Sequence, residues 1–122
     1  FDWLSTQDDV RWNTGTEIAP VKTTNDPCPT GYRIPTETEL NNERSSWTAN
    51  TSIGAINSPL KLPRAGYRYG SNGALLNVGT TGYYWSSTIG STSASYLNFN
   101  GNNAFMHNNP RAYGFSVRCI KE

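Results

Sequence analysis

The spacing of hydrophobic positions along the chain changes near residue 60. Before that point, "IPTETELNNERSSW" places Leu40 and Trp47 seven positions apart among polar residues, which puts them on one face of a helix. Thr36 and Glu39 form the T-x-x-E capping box that stabilises a helix start. The pattern therefore predicts a helix from Thr36 to about Trp47, preceded by a short strand over 31–34.

After residue 60 the period becomes two, as in strands that bury one face. Strands are predicted for the segments "LPRAGYRYG", "ALLNV", "YYWSS", "SYLNFN" and "FSVRCI". The segment "AFMH" predicts a short strand or a loop, and "SNGA" predicts a turn. Residues 1–27 are expected to be irregular with one helical turn after Ser5, and 48–59 are expected to form a polar loop.

One or two short helices before several short antiparallel strands and long loops predict an α+β fold. Without an internal repeat or a linker, residues 1–122 are expected to form a single domain. The chain starts abruptly at Phe1, so we expect a cut or processed domain that belongs to a larger chain or assembly.

Composition and charge narrow the classes of partner. The chain is 35% hydrophobic, 16% charged and 12% aromatic, with a net charge of +1. It has no run of Lys or Arg, so nucleic acid is not an expected partner. No apolar run approaches the roughly 18 residues of a membrane span, so no direct membrane insertion is expected.

Cys28 and Cys119 are the two cysteines of the chain. One interpretation is a metal or redox pair, but the chain has no CxxC motif and a single histidine, His107. The favoured interpretation is a disulfide that joins an early segment to the last strand. A disulfide indicates an oxidising compartment, so we expect an extracellular, cell-surface or virion-displayed protein.

No catalytic constellation emerges from the remaining polar residues. Asp8-Asp9 is expected to be a solvated turn, and the helix glutamates are expected to line an exposed face. His107 has no obvious base or nucleophile partner. Arg111 has two interpretations: it binds an anionic ligand, or it fixes a loop through backbone carbonyls, which is favoured. We therefore predict no enzyme activity, no cofactor and no metal ligand.

Asparagine is concentrated before the last strand. Six of the fourteen asparagines lie between Tyr96 and Asn109, although asparagine is a poor strand former and a poor core residue. On "SYLNFN" the strand period separates Leu97 and Phe99 from Tyr96, Asn98 and Asn100. The first two are predicted to face the core, and the other three are predicted to face solvent.

Four long, ordered motifs in the chain resemble a known family. "DPCPTGYRIPTETEL", "LPRAGYRYGSNG", "VGTTGYYWSST" and "RAYGFSVRCIKE" are similar to the Fibrobacter succinogenes major paralogous domain, which is widespread in Bacteroidetes and their phages. The resemblance covers about residues 25–122. It implies a C-type-lectin-like fold of the branch shared with formylglycine-generating enzymes. It also places Cys28 and Cys119 at the position of the family's disulfide, which disfavours the copper-dependent chemistry of those enzymes.

Many members of that family resemble the variable proteins of diversity-generating retroelements. In those systems a reverse transcriptase mutates template adenines, so AAC or AAT codons scatter into many residue types but never into Lys, Glu, Gln, Trp or Met. Between residues 86 and 113 the chain has no Lys, Glu, Gln or Trp, against thirteen elsewhere. Met106 is the exception and would be a fixed position. The resemblance therefore implies a variable ligand-binding region over about 86–113.

Eleven residues on the predicted outer face and its loops are the candidate ligand-binding residues. They are Ser93, Ser95, Tyr96, Asn98, Asn100, Phe105, His107, Asn108, Asn109, Pro110 and Tyr113. Seven others are expected to form a constant frame: Trp85, Leu97, Phe99, Arg111, Gly114, Phe115 and Val117.

Tyrosine and asparagine are the residues that antibody paratopes use for contact area and adaptable hydrogen bonds. The expected function is therefore a non-catalytic module that binds a protein or glycan on a cell surface. The alternative is a constant secreted or lipoprotein-borne structural domain without a diversified face. The Glu-Pro-Asn and Trp-Asn-Asp tripeptides of calcium-dependent lectins are absent, so sugar binding of that type is not expected.

Overall fold

Nine regular elements are present in the computed structural model, which describes residues 2–122. The helices are α1 (Glu37–Ser45) and α2 (Ser52–Asn57). The strands are β1 (Tyr32–Arg33), β2 (Tyr67–Arg68), β3 (Leu75–Leu76), β4 (Gly82–Gly90), β5 (Ser93–Phe99), β6 (Ala104–Pro110) and β7 (Ile120–Lys121). Neighbouring strands of each sheet are antiparallel. The predicted α+β class, with two short helices, is confirmed.

The start of α1 follows the prediction closely. Thr36 accepts a hydrogen bond from the Glu39 amide at 3.3 Å, and Glu39 accepts one from the Thr36 amide at 2.9 Å. Arg33 holds the same carboxylate through two bonds of 2.7 and 2.6 Å. Because Arg33 donates these bonds, the pKa of Glu39 is lowered. Leu40 is buried, as predicted, and Trp47 packs against the same cluster from just beyond the helix. α1 ends at Ser45, two residues before the predicted end.

The largest sheet has the strand order β4-β5-β6, with β5 in the centre. One face of this sheet carries Tyr84, Leu97 and Phe99, which form a core with Leu40 of α1 and Ala55 of α2. Phe99 is fully buried because both helices cover this face. The predicted inward position of Leu97 and Phe99 is therefore confirmed.

Glycine at position 82 is required by the packing of this core. Gly82 is the register partner of Phe99 across β4 and β5. A Cβ atom built at Gly82 would overlap the ring of Phe99, so the ring occupies the space that a side chain on β4 would fill. Any larger residue at position 82 forces the ring to move.

The opposite face of the sheet is also covered. Trp85, Ala94 and Tyr96 form a second buried cluster. The aromatic rings of Tyr113 and Phe115, from the segment after β6, pack over it. The sheet therefore has a core on both faces, although its strands alternate in the way that is typical of a sheet with one solvated face.

The first strand, β1, and the last strand, β7, are joined by backbone pairing and by a nearby disulfide. β1 pairs with β7, with Tyr32 opposite Lys121, and a disulfide links Cys28 to Cys119 across 91 positions. The predicted disulfide is present in the structure. Lys22 donates to the carbonyl oxygens of Pro29 at 3.2 Å and Tyr32 at 2.6 Å. These bonds tie the segment before Cys28 to the residues that follow it.

Three predicted elements differ from the structure. Residues 48–59 contain α2, which Thr51 caps through a 3.3 Å bond from the Ile53 amide. The segment "FSVRCI" is not a continuous strand; Ser116 forms an isolated bridge with Tyr84, and pairing resumes at β7. The turn predicted after Ser5 is not helical, since none of residues 5–12 has helical structure.

Candidate functional site

The eleven candidate residues fall into three groups by exposure. Three are exposed: Phe105, His107 and Asn108. Five are half-buried: Ser93, Asn100, Asn109, Pro110 and Tyr113. Three are buried: Ser95, Tyr96 and Asn98.

The prediction that Tyr96 and Asn98 face solvent is wrong. Their exposed fractions are 5% and 6%. The strand period did place them opposite Leu97 and Phe99, but that second face is covered by the segment that carries Phe115. Ser95 is also buried, at 1% exposed, on the face that α1 and α2 cover. These side chains are not available to a ligand in this conformation.

Three half-buried candidates form hydrogen bonds inside the fold. The Asn100 side chain accepts from the amides of Asn102 and Asn103 at 2.8 and 3.1 Å, which closes the turn between β5 and β6. Ser93 donates to the Gly90 carbonyl at 2.8 Å in the preceding hairpin. Asn109 donates to the Tyr96 hydroxyl at 3.5 Å. Turn formation therefore explains part of the asparagine enrichment.

The exposed candidates lie together on β6. Phe105 and His107 are two positions apart, so they share one face of the strand, and their ring centroids are 6.1 Å apart. Asn108 projects from the opposite face at the end of the same strand. Among the described residues β6 is an edge of its sheet, with β5 on one side only. A partner therefore has access to these side chains and to the outer backbone of β6.

A continuous set of aromatic rings extends from β6 across the sheet. His107 neighbours Tyr96 at 6.1 Å, Tyr96 stacks on Tyr83 at 5.9 Å, and Tyr83 lies 4.7 Å from Tyr67. Burial, with smaller contributions from Tyr83 and other tyrosines, raises the pKa of Tyr96 to about 12. The exposed ring of His107 therefore lies beside an aromatic layer whose first ring, Tyr96, is buried.

Tyr113 lies at the far end of this aromatic set. Its ring is 5.9 Å from Tyr67 and 5.4 Å from Tyr69. Tyr69 is exposed, so a second accessible aromatic pair is present beside β2. Phe105 and His107 at one end and Tyr69 and Tyr113 at the other bound a surface that we call the aromatic face.

Sequence reasoning missed three members of this set: Tyr67, Tyr69 and Tyr83. The segment "GYRYG" places Tyr67 and Tyr69 two positions apart, which is a strand-face pattern. The pattern predicts a strand, but it does not show that this strand packs against residues 96–113, because the two segments are far apart in sequence.

The predicted frame residues hold this face in place. Trp85 is buried and lies 4.3 Å from Phe115, centroid to centroid. Arg111 donates to Asp9 at 2.7 Å and to the backbone oxygens of Ser91 and Ser93 at 3.1 and 3.4 Å. Arg111 therefore fixes a loop through carbonyl oxygens, as the favoured interpretation expected, and it also carries ion pairs.

Residues 2–122 contain no group of three or more His, Cys, Asp or Glu side chains that is arranged to hold a metal ion. Neither of the helices in this part of the chain is long and apolar enough to cross a membrane.

Comparison with known proteins identifies a family without an assigned activity. Residues 44–120, more than half of the chain, match the family described as Domain of unknown function (DUF8237). The chain belongs to this family. No curated protein and no solved structure matches the chain. The matched range contains α2, the central sheet and the aromatic face, whereas the first 43 residues lie outside it.

Proposed function

We propose that this chain is a non-catalytic ligand-binding module that contacts its partner through the aromatic face. The observation that carries the proposal is the pair Phe105 and His107, which project from an edge strand beside the buried ring of Tyr96. Aromatic anchors on a rigid support supply most of the energy of typical protein interfaces. Phe105 is 40% exposed. A partner that covers the ring would remove this apolar surface from water, which is favourable.

The chemistry of the neighbouring residues supports the same proposal. Asn108 is exposed beside His107, and Tyr113 is half-buried beside Tyr69. Tyrosine gives contact area at low entropic cost, and asparagine gives hydrogen bonds that adapt to different partners. A protein or glycan on a cell surface is the class of ligand that we propose.

A C-type-lectin-like fold is part of this proposal. Three features support it: two short helices, a central antiparallel sheet, and a disulfide beside the pairing of β1 with β7. Extracellular, cell-surface or virion display is proposed with it, because a disulfide persists in oxidising compartments. The sequence resemblance to the Fibrobacter paralogous domains motivates both statements.

Diversification by a retroelement is also proposed, but over fewer positions than the sequence suggested. Substitution of buried Tyr96 or Asn98 would disturb the core, whereas substitution of Phe105, His107 or Asn108 would not. Sequencing the gene from many descendants of one clone tests this. Changes concentrated in the codons of the β6 residues, beside a near-identical template repeat, are expected.

The second candidate function is a constant structural domain of the same kind. The burial of Tyr96 and the internal hydrogen bonds of Asn100 favour it, because both residues lie in the region that would vary. Absence of a template repeat and of codon changes among the descendants would favour this second function.

Binding itself is tested with the domain presented on a tetrameric support and applied to immobilised glycans and intact bacterial cells. The test variant carries Phe105→Ser and His107→Ser. The matched control is Tyr32→Ser, because Tyr32 is similarly exposed, at 43%, but lies on β1. We expect the first variant to lose binding about tenfold or more and the control to keep it. Equal binding by both variants would contradict the proposal.

A further inference from the structure

A cavity of about 330 Å³ lies between the N-terminal segment and the β4–β5 hairpin. None of the eleven candidate residues lines it, so it is separate from the aromatic face. Its size is at the lower end of the range for small-molecule sites. The residues that carry the argument below are Trp3, Trp12, Trp85, Asp8, Asp9 and Arg111.

Three of the chain's four tryptophans line this cavity. Trp3 is 75% exposed, yet it is held in place because its indole N–H donates to the Ala112 carbonyl at 2.9 Å. Trp12 packs against the buried cluster that contains Trp85. The cavity therefore has aromatic surfaces that are fixed by contacts elsewhere in the fold.

The charged groups around the cavity are paired with one another. Arg111 bonds to Asp9 at 2.7 Å and lies 3.8 Å from Asp2. Arg11 lies 3.7 Å from Asp8. The three carboxylates outnumber the two guanidinium groups by one, which disfavours an anion, and each carboxylate already faces a guanidinium group. The paired groups still offer acceptors and donors to a neutral polar ligand.

We propose that this cavity binds a neutral, polyhydroxylated ring of the pyranoside class. Such a ring has an apolar C–H face, which fits the tryptophan surfaces, and hydroxyl groups around its edge. Those hydroxyls would donate to the carboxylates of Asp8 and Asp9 and accept from Arg111. A quaternary ammonium also favours aromatic walls, and the excess of one carboxylate would attract it, so choline is the competing probe in the test below.

The test uses the full chain labelled with ¹⁵N, in which the indole N–H groups of the four tryptophans are followed by NMR. The probes are methyl β-D-glucopyranoside, methyl α-D-mannopyranoside and methyl N-acetyl-β-D-glucosaminide, each up to about 50 mM, since a small site of this kind binds in the millimolar range. Choline and inorganic phosphate are the charged comparison probes.

We expect at least one glycoside to shift the signals of Trp3, Trp12 and Trp85 in a saturable manner. Trp47 is the internal control, because it packs against the other core cluster, and its signal should stay in place. Three results would overturn the proposal: no glycoside shifts the three signals, Trp47 shifts equally, or choline or phosphate shifts them instead.

Two variants assign the binding to the cavity. Trp12→Leu keeps an apolar side chain but removes an aromatic wall, and Asp8→Ala removes a carboxylate that would accept from the ligand hydroxyls. Each should weaken glycoside binding roughly tenfold, whereas Tyr69→Ala and the Phe105→Ser/His107→Ser variant should not change it. If Trp12→Leu fails to fold, Asp8→Ala decides alone. Unchanged binding in Asp8→Ala would contradict the assignment and leave the proposal for the aromatic face unaffected.

Discussion

Tyr96 and His107 are register partners on β5 and β6, and their rings lie 6.1 Å apart. Tyr96 is 5% exposed, whereas His107 is exposed. The border between the core and the proposed binding surface therefore runs between these two strands. Substitutions on the exposed face of β6 should be tolerated, and substitutions on β5 should not.

Alanine substitutions at this border test the assignment of faces. Tyr96→Ala should lower the free energy of unfolding by about 3–5 kcal/mol, because it leaves a cavity under four neighbouring rings. His107→Ala should change it by less than about 0.5 kcal/mol. Urea unfolding followed by fluorescence measures both. Similar losses in the two variants would mean that the border lies elsewhere.

The contact between Gly82 and Phe99 predicts coupled substitutions. Gly82→Ala should destabilise the protein by about 1–3 kcal/mol, because the new methyl group overlaps the Phe99 ring. In the background of Phe99→Leu the same change should cost less, since the ring is gone. A double-mutant cycle measures the coupling. Purely additive losses would show that the ring does not restrict position 82.

The disulfide between Cys28 and Cys119 should account for much of the stability. In the chain-entropy model, closing a loop of 91 positions contributes about 4 kcal/mol. The double variant Cys28→Ser/Cys119→Ser should lose about that amount in urea unfolding. Thiol titration of the unreduced, denatured protein should find no free thiol. Two free thiols would contradict the pairing and remove the main support for an extracellular location.

Acid unfolding should depend on Glu39. The pKa of Glu39 is lowered in the folded state, first because Arg33 donates hydrogen bonds to its carboxylate. A carboxyl group whose pKa is lower in the folded state stabilises the protein at pH values above its unfolded pKa, which is near 4.5. That stabilisation disappears as the pH falls through the folded pKa.

Glu39→Gln should therefore lower the free energy of unfolding at pH 7 by about 1 kcal/mol, through the cap and the ion pair. It should also flatten the loss of stability between about pH 5 and pH 3. The half-buried Glu37→Gln serves as a matched control in the same helix turn. Parallel stability curves for the wild type and Glu39→Gln over this range would contradict the assignment.

Local chemistry made part of the fold predictable. The capping box at Thr36 and Glu39 and the spacing of Leu40 and Trp47 defined α1, because those interactions lie within a few residues of each other. α2 was missed because it has only six residues and contains Gly54, which is a poor helix former. Glycine is nevertheless required at position 54, because a Cβ atom there would overlap the backbone of Ala49.

The site was only partly predictable, for a different reason. Alternation along β5 correctly separated Leu97 and Phe99 from Tyr96 and Asn98, but alternation alone does not say which face is covered. Coverage of the second face depends on Phe115, which is about twenty positions away in sequence. The accessible candidate side chains lie on β6, which the sequence predicts only as a short strand or loop.

The proposed binding surface contains the only histidine of the chain, His107, which makes one measurement especially direct. Diethyl pyrocarbonate modifies accessible imidazoles, and mass spectrometry reads the rate at His107 alone. The rate should fall severalfold when the domain is saturated on a cell or glycan that binds it, because a covering partner excludes the reagent, and modification before binding should abolish capture. An unchanged rate in the saturated complex would show that the ligand does not contact the aromatic face beside His107.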